Sequence, residues 1–172
     1  MLSSKFVHLI ILVGLLVCSG HCVLAQNTEE ELRAAYIYNF AKYIRWPDEG
    51  PVFIIGMYGN DIEATNALQY TLKGKKIRGK EIQVKTIHTV GDAVACHILY
   101  CPDIENKKLV ALVDATAGKS VLLVTKHDLI KRGAMISFFI EGENLKFKIK
   151  RDAVMRAGLF PSEGLLKLAT VL

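Results

Sequence analysis

Continuous apolar runs of strand length recur between stretches patterned as helices, and this alternation restricts the chain more than any other feature. VFIIGM (Val52 to Met57) is followed by the turn YGND and an amphipathic helix from Asp61 to Leu72. The basic loop GKKIRGKE leads to IQVKTI (Ile82 to Ile87), then to AVACHILY (Ala93 to Tyr100), a helix over Asn106 to Ala115, and SVLLVT (Ser120 to Thr125). A strand that is apolar on both faces needs cover on both. The alternation therefore predicts an α/β fold: a mixed, largely parallel sheet with helices on both faces. Further on the pattern changes to AMISFFIEGENLKFKIKR, which reads as a hairpin turning at EGEN. In its second strand Leu145, Phe147 and Ile149 alternate with Lys146, Lys148 and Lys150, so one face is buried and the other wet and basic. Asp152 is placed to cap a short helix ended by Gly158, and Ser162 to open a last helix containing Leu165, Leu166 and Leu168. A C-terminal hairpin plus helices thus completes the sheet.

Before the first strand lies AYIYNFAKYIRWP (Ala35 to Pro47), with five aromatic side chains in thirteen positions. Thr28 and Glu31 form a capping-box pattern with acids in the first turn, so a helix starts there. Ile37, Phe40, Ala41 and Ile44 fall on one apolar stripe, and Tyr38, Lys42 and Arg45 on the opposite side. Pro47 is expected to end the helix and to push Trp46 out of it. Trp46 with Pro47 then forms either a lid over the helix end or part of a subunit contact. Aromatic and arginine side chains on a solvent face are either plain surface or the material of binding hot spots.

The first residues form a different kind of segment. Lys5 precedes the apolar run FVHLIILVGLLVCSG, and Val23 and Ala25 are small residues before a cut at Gln26. This pattern predicts a secretory signal over residues 1–25, cleaved between Ala25 and Gln26. A membrane span needs roughly 18 or more apolar residues, which the run does not supply. Residues 26–172 have the size of a single domain with a real core. They carry 21 lysines and arginines against 17 acids, a mildly basic balance.

Cys18 and Cys22 fall in the leader, leaving Cys96 and Cys101 as the free or interchain thiols. In a regular strand these two point to opposite faces, about 16 Å apart, too far for a bridge. Cys96 and His97 are likewise adjacent strand positions, and no second Cys/His pair has zinc spacing, so no metal site is expected. The chain lacks a Gly-x-Ser-x-Gly elbow and a phosphate-binding glycine loop, and GMYGN lacks the third glycine of a dinucleotide fingerprint. These absences predict no catalytic residues, no cofactor and no enzyme activity. The cluster Lys73, Lys75, Lys76, Arg78 and Lys80 is either a solvated loop or a surface drawn to anionic headgroups. Nucleic acid is not an expected partner of an exported chain. In an open α/β sheet ligands gather beyond the carboxyl ends of the strands. Tyr58, Asn60, Asp61, Lys126 and His127 are therefore the ligand-pocket candidates, with Asp128 read as a cap or surface partner of His127.

The segments LRAAYIYNFAKYIRWP, FIIGMYGND, CHILY, VLLVTKHDLIKRGAMISFFIEGENLKFKIKRDA and RAGLFPSEGLLKLA, taken in this order, resemble the YfiR family of small exported bacterial proteins. The resemblance implies a periplasmic homodimer that is not an enzyme. It implies repression of an inner-membrane diguanylate cyclase of the YfiN type through that enzyme's periplasmic domain, and sequestration by an outer-membrane lipoprotein. Lys150 stands where family members usually carry asparagine, Pro161 breaks into GLF-SEGLLKL, and only Cys96 matches a cysteine of the disulfide-paired, redox-responsive repressors. Tyr38, Lys42, Arg45, Trp46 and Pro47 are the partner or dimer-interface candidates. A small-ligand sensing module controlling a kinase or transporter is the alternative role.

Overall fold

A computed structural model describes residues 28–47 and 50–172. The leader, its cleavage point at Ala25 and Gln26, and Cys18 and Cys22 lie outside the described residues. Helix α1 (Glu29–Tyr43) opens on the capping box, with Glu31 N donating to Thr28 Oγ1 at 3.2 Å and Thr28 N to Glu31 Oε2 at 3.0 Å. It ends at Tyr43, two residues earlier than Pro47 led us to expect. Ile44 and Arg45 are extended as β1 (Ile44–Arg45) and pair antiparallel with β9 (Phe160–Pro161). Ser162 N also donates to Tyr43 O at 2.9 Å. A strand partner supplied from 115 residues downstream in the sequence thus overrides the local proline signal.

The central sheet follows the alternation. It comprises β2 (Val52–Tyr58), β4 (Lys80–Ile87), β5 (Ile98–Cys101), β6 (Leu122–Thr125) and β7 (Ile136–Glu141), all parallel, in the spatial order β4-β2-β5-β6-β7. Between them run α2 (Ile62–Leu72), α3 (Val90–Ala93) and α4 (Asn106–Thr116). β8 (Asn144–Ile149) returns antiparallel to β7 as the expected hairpin, and β10 (Thr170–Val171) adds parallel to β8 at that rim. At the other rim the basic loop is itself a hairpin, with β3 (Lys76–Ile77) antiparallel to β4. The last helices are α5 (Arg151–Arg156) and α6 (Glu163–Leu166). Two C-terminal expectations are corrected. Lys150, not Asp152, holds the cap position of α5, with no side-chain cap. Leu168 lies beyond α6 and is exposed.

Both faces are covered. On one, α1 lays Phe40 against Phe147 at 4.9 Å and Phe138 at 5.9 Å between ring centroids, and Ile37, Ala41 and Ile44 are buried with them. On the other, Leu109 and Leu112 of α4 meet Leu99, Cys101 and Leu123. The strand expected over Ala93 to Tyr100 is shorter, because α3 and a turn occupy residues 90–97. Cys96 therefore lies outside the strand alternation, and both thiols are buried in this second core, on one face rather than on two. His97 joins the sheet through its side chain, with Ile54 N donating to Nδ1 at 3.0 Å and its own N–H donating to Ile54 O at 2.9 Å.

The turn at residues 94–97 forces a glycine on the central strand. A Cβ added at Gly56 would stand 2.5 Å from Cys96 Sγ and 2.9 Å from Ile87 Cγ1, inside van der Waals contact. Overpacking of this kind costs about 1–3 kcal/mol. Gly56→Ala is expected to lower stability to urea by that amount, whereas Gly91→Ala, whose Cβ would meet only Thr89 Oγ1 at 3.8 Å, should not. Equal stability of the two variants would show that the β2 environment is looser than described.

Candidate functional site

The apolar stripe of α1 continues backwards into charge. Glu30, Arg33 and Ala34 stand at helical spacing before Ile37, and all three are buried. Glu30 is held from three directions. Its Oε1 accepts from Arg33 Nη1 at 2.9 Å and from Lys126 Nζ at 2.7 Å, and its Oε2 accepts from Tyr100 OH at 3.3 Å. Arg33 also pairs with Glu29 through Nη2 and sets its guanidinium 6.0 Å from the Phe138 ring centre. Arg33 Nε meets no hydrogen-bond acceptor among the described residues. Burial, then the Glu30 carboxylate, push the Tyr100 phenol far above its ordinary value, so it remains a neutral donor. Helix α1 thus enters over the carboxyl ends of β5 and β6, tied there by ion pairs.

Beside this cluster the strand order reverses. The chain runs from β2 outward to β4, then crosses back to β5 and on to β6 and β7, so the reversal lies between β2 and β5. A crevice at such a point is where doubly wound sheets hold ligands. Here a hollow of about 400 Å³ is lined by Tyr58, Gly59, Asn60, Asp61, Pro102 and Asp103. Gly59, at φ 92°, permits the sharp exit from β2. Asp61 Oδ1 caps α2, accepting from Ala64 N at 2.9 Å. Of the five residues expected to form a pocket, Tyr58, Asn60 and Asp61 line this hollow, while Lys126 turns to Glu30 and His127 is exposed at the end of β6. Asp128 pairs with Lys148 at 2.6 Å. Among the described residues no group of three His, Cys, Asp or Glu side chains could hold a metal ion.

The interface candidates divide. Lys42 and Arg45 are exposed, and Tyr38 is half-buried with Lys75 Nζ 4.7 Å and Lys42 Nζ 5.4 Å from its ring centre. Arg45 leaves the helix for β1 and lies 4.6 Å over the exposed ring of Phe160. Trp46 is buried. Its ring meets Phe53 edge-on at 5.1 Å, and its Nε1 donates to Ser120 O at 3.0 Å, so of the two readings it fits the lid. Pro47 is exposed beside it. Sequence reasoning missed Glu30, Arg33, Tyr100 and Phe160. The signal for the first two was the helical stripe itself, read no further back than Ile37.

Buried charges hold only while paired, and removing one partner typically costs about 3–5 kcal/mol. Glu30→Ala removes the carboxylate of Lys126 and leaves the buried Arg33 with only the half-exposed Glu29, and is expected to destabilise by that order in urea unfolding. Lys126→Met leaves the Glu30–Arg33 pair intact and should cost clearly less; equal losses would refute the shared-carboxylate geometry.

The thiols are structural. Burial, against the pull of Lys85, pushes the Cys96 thiol up to about 11, and burial with the neighbouring Cys96 pushes Cys101 up further. Both are free and buried, so pairing between chains would require the second core to open. Since the folded thiol keeps its proton longer than the unfolded one, its contribution is complete below the ordinary value of 9.0 and is lost as pH rises toward about 11. The thermal midpoint is expected to fall over that window, and less steeply in Cys96→Ala. A thiol reagent at neutral pH should label neither cysteine until the protein is unfolded.

Among the described residues no helix is long and apolar enough to cross a membrane. No curated protein sequence matches the chain significantly. A family model described as YfiR/HmsC-like matches residues 30–170, from the buried Glu30 to the first residue of β10. The central strands, nearly all of the helix that covers them and the hairpin lie inside that match, and the chain belongs to the YfiR/HmsC-like family of periplasmic regulators.

Proposed function

We propose that the protein is exported with loss of residues 1–25 and acts in the periplasm by binding the periplasmic domain of an inner-membrane diguanylate cyclase, or a similar membrane sensor. Binding holds the receptor off and lowers cyclic-di-GMP signalling. The family match over residues 30–170 is the observation that carries this reading. No bond is made or broken in such a switch. The regulator needs only a difference in affinity between receptor states, and a coupling of about 1–3 kcal/mol gives a 5- to 150-fold effect. Homodimer formation and release by an outer-membrane lipoprotein belong to the same proposal.

The β1–β9 edge is the contact we favour. It presents Arg45 stacked on Phe160, and Phe160 is 44% exposed. An arginine and an aromatic ring already held together lose little freedom on binding and are typical of the few residues that dominate an interface. The hollow at the strand-order reversal supports a second reading, in which a small ligand there sets the activity of a kinase or transporter. Its volume of about 400 Å³ lies in the range of small-ligand sites.

The chain from Gln26 onward, used as bait on detergent-solubilised inner membranes, is expected to retain a protein with a cytoplasmic diguanylate cyclase domain. Arg45→Ala or Phe160→Ala should weaken retention by about thirtyfold, the scale of one interface hot spot, without changing the thermal midpoint. Deleting the gene should raise cyclic-di-GMP. An unchanged level, with retention of a kinase or transporter instead, would replace this reading by the second.

A further inference from the structure

The end of the molecule where the strands begin carries a lysine surface distinct from the Arg45–Phe160 edge. Lys42, on the last turn of α1, places its Nζ 5.4 Å from the Tyr38 ring centre and 5.3 Å from that of Tyr43. Lys73 and Lys75 leave the end of α2, and Lys75 reaches the same Tyr38 ring at 4.7 Å. The β3–β4 hairpin is fixed against this helix end, because Arg78 Nη2 donates to Ile44 O at 3.2 Å. Elements far apart in sequence therefore present their cations on one surface.

The charge there is unbalanced. Among the described residues Lys42, Lys73 and Lys75 meet no carboxylate at salt-bridge distance, while Lys76 pairs with Glu81 at 2.7 Å. Asp48 and Glu49 follow Pro47 in the sequence. Counting all three acids against Lys42, Lys73, Lys75, Lys76, Arg78 and Lys80 leaves an excess of three cations, most of the excess of four carried by residues 26–172. Tyr43, 46% exposed, stands among them as an amphipathic ring.

We propose that this lysine surface rests on an anionic lipid bilayer, with Tyr43 at the level of the headgroups. Lysine decides between a lipid and a protein occupant. Its flexible, strongly hydrated point charge suits a diffuse layer of phosphates, whereas protein interfaces are depleted in lysine and enriched in arginine. Tyrosine is a residue of membrane–water interfaces. The contact is electrostatic and shallow, and it would hold the regulator beside a membrane receptor. It does not depend on the receptor proposal, since lipid alone is the ligand.

Co-sedimentation of the chain from Gln26 onward with vesicles of phosphatidylglycerol and phosphatidylethanolamine tests this at low ionic strength. Binding is expected to these vesicles, to be absent from phosphatidylcholine vesicles, and to be reversed by salt. Each cation near an anionic surface is worth about fivefold in partitioning, so the triple variant Lys42→Gln, Lys73→Gln, Lys75→Gln should lose on the order of a hundredfold. The triple variant Lys107→Gln, Lys131→Gln, Lys146→Gln changes net charge equally on exposed positions elsewhere and should keep its binding. Thermal midpoints of both variants verify folding. Equal loss in both variants, or no binding to anionic vesicles, overturns the proposal; a lysine surface needed only for retention by an acidic receptor domain would assign it to protein instead.

Discussion

A parallel sheet built from strands apolar on both faces has no stable form until something covers each side, and helix α1 covers the larger one. Its Phe40 lies among Phe138 and Phe147 of the hairpin strands, while Ala34 and Ala41 let the helix approach closely. The same helix carries Glu30 and Arg33 into the sheet's carboxyl end and Arg45 and Trp46 to its amino end. Cover, buried ion cluster and exposed edge are thus consequences of seating one amphipathic segment. A shift of α1 along its axis would move all three together, because Glu30 anchors one end to Tyr100 of β5 and to Lys126 just past β6, and Trp46, beyond the other end, anchors to Ser120, two residues before β6.

Much of this arrangement was legible where the controlling interactions are local. The capping box at Thr28, the α2 cap at Asp61, the parallel strands and the alternation of Leu145, Phe147 and Ile149 follow from spacing within a few residues. Errors came where a distant partner decides. Pro47 was read as the helix stop, but the helix stops at Tyr43 because Phe160 and Pro161 offer a strand. Cys96 was placed inside a strand because AVACHILY is apolar except at His97, yet four of those residues wind into a turn that brings the thiol onto Gly56. Apolar character alone does not distinguish a strand from a buried turn, and the predicted opposition of Cys96 and Cys101 failed with it.

The site was legible in part for the same reason. Tyr58 ends β2 and Asn60 and Asp61 follow it, and the rule that ligands gather at carboxyl strand ends needs only strand order and direction. Lys126 and His127 obey that rule too but sit two strands away, and Lys126 is consumed by a carboxylate from α1. Glu30 and Arg33 look like ordinary charges of a solvated first turn. Their burial depends on Tyr100, Lys126 and Phe138, none of which is near them in sequence.

The sheet's two rims are defended unequally. At one, β3 and the start of β4 carry lysines that discourage another strand from docking. At the other, β10 covers β8 only opposite Lys148 and Ile149, and Leu172 closes the seam by donating its N–H to Ile149 O and accepting from Arg151 N. Removal of Thr170 to Leu172 would therefore bare a strand edge next to the apolar Leu168 and Leu145.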